Sequence, residues 1–246
     1  MLLFLDIEGT ITDPAGRFMG RSLAERITEM EMGGEDVVLC SGRDLDYMIR
    51  ARERWGLPPL NGAIAENGCL ILPAGRPPKE AYIDPRAEEM DREKIISDLT
   101  SAGLSEMAEV DPDKRYILSI YAPGFMEGED YTPGDIASIH RFVEGNIDDH
   151  RCQVIPTSAS VEVIPAGVDK GTGIRRYWEM TGHDPEESAF ICDSNNDIQG
   201  ARVVKSNGGR VYVVGNGVDK LKEMADYVAS GNYWKGALEI LDIMDY

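Results

Sequence analysis

Positive charge is scarce in this 246-residue chain: 25 Lys and Arg stand against 44 Asp and Glu, a formal net charge of −19. So acidic a chain argues against a general nucleic-acid or anionic-membrane partner. An anionic substrate would have to be met by positive charge gathered locally. Histidine is rare as well, and its three copies are scattered, so a His-rich zinc centre is not expected. The four cysteines (Cys40, Cys69, Cys152 and Cys192) contain no CxxC pair and read as small buried hydrophobes. No apolar stretch approaches the ~20 residues that a membrane span needs. The N-terminal apolar run lacks a basic region and is cut short by Asp6, so no signal peptide is expected. A cytoplasmic protein is the reading.

What is present is an alternation of strand and helix patterns. Residues 2–7 form an apolar strand that runs into Asp6. "SLAERITEMEM" predicts a helix with a capping box at Ser22 and Glu25, ended by Gly33-Gly34. "DVVLCSG" is a second strand, "DLDYMIRARERWG" a helix, and "AIAENG" a third short strand. "ILPAGRPPKEAYIDP" then reads as a hairpin or linker. Residues 86–102 look helical, "RYILSIYAP" alternates like a strand, Thr132-Pro133 starts a helix, and "CQVIP" and "SVEVIP" are two short strands. From Gly167 the first pattern resumes: helix "KGTGIRRYWEM", strand "SAFICDS", helix "NDIQGARVV", strand "GRVYVVG", and helices over 218–226 and 233–244. The expected fold is α/β: a doubly wound, Rossmann-like parallel core from residues 1–79 and 167–246, with an α+β cap of residues 80–166 inserted into it.

Ligands of open parallel sheets bind at the carboxyl ends of the strands. Those ends carry Asp6-x-Glu8-Gly-Thr10, Ser41-Gly42-Arg43 and Asp193-Ser-Asn-Asn196-Asp197, while Lys170 opens the helix before the third. Four carboxylates at one edge repel one another unless a cation sits among them. Oxygen ligands without His or Cys suit Mg²⁺. A divalent ion beside a lysine, a serine hydroxyl and backbone N–H groups traps phosphate, and a carboxylate can itself be the nucleophile. An EF-hand is the wrong reading of Asp193–Asp197, because its sixth and twelfth positions need Gly and Glu and hold Ile198 and Val204. "GTG" and "GNG" are not GxGxxG, so a dinucleotide site is not expected either.

Four motifs in order, "LLFLDIEGT", "VVLCSGR", "GVDKG" and "CDSNND", resemble the haloacid dehalogenase-like (HAD) phosphatases, in the Cof-type branch with a large cap. "ENG" at Glu66–Gly68 and "VEVIPAGVDKG" are similar to that branch too. The resemblance implies that Asp6 attacks phosphorus and that Glu8 is the general acid/base, with Lys170 as the third catalytic group. It implies that Ser41, Gly42, Arg43, Lys170 and Asn196 hold the phosphoryl group. It implies Mg²⁺ on Asp6, Asp193 and the Glu8 backbone carbonyl, with Asp197 supporting the metal shell. Glu8 departs from the family's Asp by one methylene, a change shared with enolase-phosphatases, and Cys192 replaces a Gly of the fourth motif. The implied substrate is a small phosphorylated metabolite, phosphoglycolate-like. Sugar-phosphate phosphatases (sucrose-, trehalose- or mannosylglycerate-phosphate type) and phosphomannomutase are alternatives, and a weakly active phospho-ligand sensor is the reading from another class. A monomer or homodimer is expected. The cap holds Lys79, Arg86, Arg92, Lys94, Lys114, Arg115, Arg141 and Arg151; most read as surface charges, with one or two facing the cleft.

Overall fold

The computed structural model describes residues 1–13, 16–17, 20–125, 128–129, 131–148, 150–157 and 159–244. Its strands are β1 (Leu2–Leu5), β2 (Asp36–Cys40), β3 (Ala63–Ala65), β4 (Leu70–Leu72), β5 (Tyr82–Ile83), β6 (Glu109–Val110), β7 (Leu118–Tyr121), β8 (Cys152–Pro156), β9 (Val161–Pro165), β10 (Ser188–Cys192), β11 (Arg210–Val213) and β12 (Tyr227–Val228). The α-helices are α1 (Arg21–Met32), α2 (Leu45–Arg54), α3 (Pro85–Glu89), α4 (Arg92–Ser101), α5 (Pro133–Asn146), α6 (Lys170–Thr181), α7 (Ile198–Ser206), α8 (Asp219–Lys222) and α9 (Tyr233–Ile243).

The main sheet has the order β12-β11-β10-β1-β2-β3-β4-β5. It is parallel from β12 to β3, and β4 and β5 continue it antiparallel at one edge. Alternate side chains of β1 face opposite layers. Leu3 and Leu5 join Leu23 and Ile27 of α1, Met48 of α2 and Ile240 of α9. Leu2 and Phe4 join Ile174 and Tyr177 of α6 and Val204 of α7. Burial on both faces explains why this strand reads as an unbroken apolar run rather than an alternating one. Cys40 and Cys192 are fully buried in the second layer, as space-fillers.

A second sheet, β6-β7-β9-β8, is antiparallel. Ile95 and Leu99 of α4 and Ile136, Ile139 and Val143 of α5 pack on Leu118, Ile120, Val161 and Val163 of its strands. A small apolar cluster of Cys69, Ala87, Ile117, Ile164 and Val168 lies where the chain passes between the two sheets. Among the described residues, no helix is long and apolar enough to cross a membrane.

Several sequence expectations change in detail. The N-cap of α1 is Gly20, with no side-chain cap, and Glu25 pairs instead with Arg21 at 2.8 Å. The expected Ser22–Glu25 capping box is therefore absent. The 86–102 helix is two helices, because Asp91 caps a new start at α4 by accepting from Lys94 N. The helix expected over 218–226 is the single turn α8, followed by β12. "AIAENG" is strand only to Ala65. Glu66 and Asn67 then adopt positive φ (46° and 54°) in a 3₁₀ turn. Asn tolerates that region; Glu needs a reason to be there.

Candidate active site

β1 lies where the sheet order reverses: the chain proceeds outward through β2 and β3 on one side and β10, β11 and β12 on the other. Such a switch point opens a crevice beyond the strand ends. After Leu5 the chain turns tightly, with the Ile7 carbonyl accepting from the amides of Thr10, Ile11 and Thr12. Gly9 sits in this turn at φ 81°, and a Cβ there would lie 2.3 Å from Asp193 Oδ2. Only glycine lets the turn and the β10 loop approach so closely.

Four distant elements converge here. Lys170 is the first residue of α6, whose N-cap Asp169 forms a capping box with Thr172. Although it opens a helix, Lys170 is completely buried. Its ammonium donates to Asp6 Oδ1 at 2.6 Å and to Asp197 Oδ1 at 2.5 Å. The other oxygen of Asp197 accepts from the amides of Asp193 (3.2 Å) and Ser194 (2.8 Å). Thr10 Oγ1 lies 3.0 Å from Asp193 Oδ1 and 3.3 Å from Asp6 Oδ2. Carboxylate oxygens of Asp6, Asp193 and Asp197 all fall within 4.8 Å of one another, and all three residues are buried.

The electrostatics follow. Burial, then the Asp197 charge, push Asp6 up from 3.8 to about 7, against the pull of Lys170. Burial, then the charges of Asp6 and Asp197, push Asp193 well above the carboxylate range. Burial alone would depress Lys170, but Asp197 and Asp6 outweigh it and hold the ammonium well above its ordinary value. One cation among three buried acids leaves them under-neutralised. A hard divalent cation fits this all-oxygen set.

Glu8 behaves differently. Its side chain stands apart from the three aspartates. Oε2 accepts from Ser41 Oγ at 2.9 Å, and Oε1 accepts from Arg43 Nε at 2.5 Å. Burial would raise its pKa, yet the Arg43 charge and hydrogen bond win and hold it below the usual glutamate value. Arg43 in turn stacks on Tyr47, 4.6 Å from the ring centroid. Of the residues expected at the metal, Glu8 is thus the one whose carboxylate is elsewhere. Asn196 completes the rim: its amide donates to Asn67 Oδ1 (3.1 Å), and its Oδ1 accepts from Ser194 Oγ (2.5 Å). A small cavity, about 40 Å³, is lined by Asp6, Glu8, Ser41, Gly42, Arg43, Ser194 and Asn196 from the main-sheet side. Lys114, Tyr121, Thr157, Ala159, Ser160 and Glu162 close it from the other.

Sequence reasoning missed Asn216 and gave no role to Asn67, inside "ENG", or to Lys114, among the cap cations. Asn216, after β11, donates to the Gly9 carbonyl (2.8 Å), lies 3.3 Å from Asp193 Oδ2 and accepts from the Tyr233 amide (2.8 Å). Reading the end of "GRVYVVG" by the same strand-end rule would have found it. Asn67 has a buried Nδ2 without a described partner, close to Gly42. Lys114 stood among eight cap cations with nothing to mark it.

Three buried acids and a buried lysine thus meet at the switch point of a doubly wound sheet. The profile of the haloacid dehalogenase-like hydrolases matches residues 3–120 and 129–241. The chain belongs to this family: it is a haloacid dehalogenase-like hydrolase. It is 27% identical to a protein of Natronomonas pharaonis named phosphoglycolate phosphatase, over 98% of this chain and 96% of that one. In fold it is similar to the C-terminal domain of the Candida albicans trehalose-6-phosphate phosphatase, with TM-score 0.75, 17% identity and coverage of 99% and 91%. A Thermoplasma acidophilum protein gives TM-score 0.72 at 18% identity, with coverage of 99% and 97%. At these identities the two structures speak for the fold alone.

Proposed function

We propose that this enzyme is a Mg²⁺-dependent phosphomonoesterase for a small phosphorylated metabolite of the phosphoglycolate type, working through a phospho-aspartate on Asp6. The observation that carries the reading is the buried triad Asp6, Asp193 and Asp197 with Lys170 bonded to two of its members. It combines a nucleophile with charge that only a phosphoryl group and a cation complete.

Asp6 attacks phosphorus, and the P–O bond to the leaving group breaks as the new one forms. Lys170 aligns Asp6 and favours its ionised form against the pull of burial and Asp197. Ser41, Arg43 and the Gly42 backbone take the phosphoryl oxygens, helped by Asn196. Because Ser41 and Arg43 now engage Glu8, an arriving phosphoryl group competes for those donors and sets the Glu8 carboxyl free. Glu8 then protonates the departing oxygen, and afterwards takes a proton from the water that attacks phosphorus and releases Asp6. Asp6, Asp193 and the Glu8 carbonyl would hold Mg²⁺, with Asp197 behind them. When bound, the ion supplies Lewis-acid neutralisation of phosphoryl charge. We also propose residues 1–79 and 167–246 as the catalytic core and 80–166 as a cap over the site, with β5 of the inserted segment reaching back to the core sheet.

The cavity supports a small substrate. Beside Asp6 and Glu8 the space is about 40 Å³, room for a few water-sized groups of roughly 10–15 Å³ each, and it shares Thr157 and Ser194 with a larger cleft of about 580 Å³ lined by Asp193 and Asn216. A second reading, a hydroxyl-rich sugar phosphate, draws on Glu162, whose buried carboxylate could accept from a substrate hydroxyl.

The test is phosphate release from phosphoglycolate, hexose phosphates, disaccharide phosphates and p-nitrophenyl phosphate, with Mg²⁺ or with EDTA. Release should require Mg²⁺, and Asp6→Asn should abolish it while the protein stays folded. Undiminished release by Asp6→Asn would contradict the reading.

A further inference from the structure

Among the buried charged side chains that the chemistry above does not use, Glu66 and Lys114 are connected. Glu66 is 1% exposed. It holds the positive φ of 46° noted above, and its carboxylate faces the chain entering β7 rather than the catalytic cluster. Its oxygens accept from three consecutive amides: Arg115 (3.1 and 3.2 Å), Tyr116 (2.7 Å) and Ile117 (3.1 Å). Successive amides pointing at one anion form a concave nest, used here by a carboxylate of the protein itself. Burial pushes the Glu66 carboxyl up against the pull of these donors.

The residue just before the clamped amides is Lys114. An Asp111 turn, with Asp111 Oδ1 accepting from the Asp113 amide at 2.9 Å, delivers it from β6. Lys114 is 3% exposed and reaches across the cavity to the second strand-end loop, donating to the Gly42 carbonyl at 2.6 Å. An ammonium has three donors, and a carbonyl takes one. Glu8, Glu66 and Glu162 all feel its charge. No ion pair joins it to any of the three, and Lys114 itself lines the cavity. A buried cation held off its neighbouring carboxylates, beside the phosphoryl-binding residues, is shaped to receive a carboxylate from outside. Glu162 faces the same space, with Ser119 and Ser160 hydroxyls donating to it at 2.8 and 2.7 Å. It repels an anionic leaving group unless Lys114 stands between them.

We infer that Lys114 binds the carboxylate of the leaving group, making the enzyme selective for phosphomonoesters of small hydroxy acids, and that Glu66 is the positioning residue that clamps the Lys114 loop. The inference rests on the phosphomonoesterase reading and adds the determinant of its substrate class.

The test compares 2-phosphoglycolate with 2-hydroxyethyl phosphate, its neutral analogue of nearly equal size, in the Mg²⁺-loaded enzyme. The readout is the ratio of their kcat/KM values. Lys114→Met should lower the ratio on the order of 100-fold, the weight of a charge-assisted hydrogen bond, and Lys114→Arg should restore part of it. Glu66→Gln should lower it about 10-fold, mostly through KM for phosphoglycolate. The double variant Glu66→Gln/Lys114→Met should be no worse than Lys114→Met alone, because Glu66 acts through Lys114. Equal losses on both esters would overturn the inference by placing Lys114 on the phosphoryl group. So would an unchanged ratio, additive losses in the double variant, or a wild-type preference for the hydroxyethyl ester, which would favour Glu162. In each of those cases wild-type phosphatase activity survives. Failure of the wild type to release phosphate from any ester would instead overturn the phosphatase reading, and this inference with it.

Discussion

Asp6 is the residue on which pH and metal meet. Folded without metal it binds its proton at about 7, whereas the ordinary value is 3.8. The folded protein therefore holds this proton more tightly than the unfolded one. Stability of the metal-free fold should fall as pH rises from about 4 through about 7. Mg²⁺ must displace the same proton, so its affinity should drop as pH falls below about 7. Thermal melts should show a larger Mg²⁺-induced rise in Tm at pH 8 than at pH 5.5; an equal rise would contradict the assignment. Glu8 supplies a second residue-level prediction. Glu8→Gln keeps the Ser41 and Arg43 contacts in outline but cannot pass a proton, so kcat should fall by about 10²–10⁴ with little change in Tm. The four motif residues were readable because each stands at a strand or helix terminus that local pattern reveals. Glu66 stood out only as part of "ENG" and Lys114 only as one cap cation among eight, neither with a role. Their meaning lies in one contact spanning 49 residues and another spanning 72, and no periodicity encodes either.

At the scale of elements, α6 decides whether Lys170 arrives. Its first turn is seated by contact with the 3₁₀ turn after β3. A Cβ on Gly173 would lie 2.6 Å from Ile64 Cγ2 and 3.0 Å from Gly68 Cα, and one on Gly171 would lie 2.6 Å from the Gln199 carbonyl. Gly173→Ala should destabilise the protein by about 1–3 kcal/mol, and it should lower kcat as well because the helix carries Lys170. Chemical denaturation and steady-state kinetics on the same variant check both; an intact kcat would mean the helix start is more tolerant than the packing implies. The alternation of strands and helices was legible, since apolar runs bounded by Gly and Pro dominate it. The details that changed were local. The start of α1 looked capped by Ser22, but its first turn is set by packing, with Gly20 pressed against Trp234. The 218–226 stretch reads as a helix, yet it yields one turn before β12 because Asp226 turns to bind the Val211 amide (2.8 Å) and Lys205.

At the scale of the whole molecule, a chain of net charge −19 collects cations against its own field. Lys170 is neutralised by aspartates, Arg43 by Glu8, and Lys114 leans on a carbonyl. On the proposed reading, Arg43 and Lys114 are the cations that an anionic substrate engages. Residues from both sheets line the cavity, and the apolar cluster of Ile117, Ile164 and Val168 packs where the chain passes between them. The proposed chemistry requires Asp6 to be the nucleophile. The direct test is a single-turnover reaction with phosphoglycolate and Mg²⁺, quenched early in acid, digested, and read by peptide mass spectrometry. A phosphoryl group on the peptide containing Asp6, absent in Asp6→Asn, is the predicted result; full metal-dependent phosphate release with the label on another residue, or with none on the protein at any time, would contradict it.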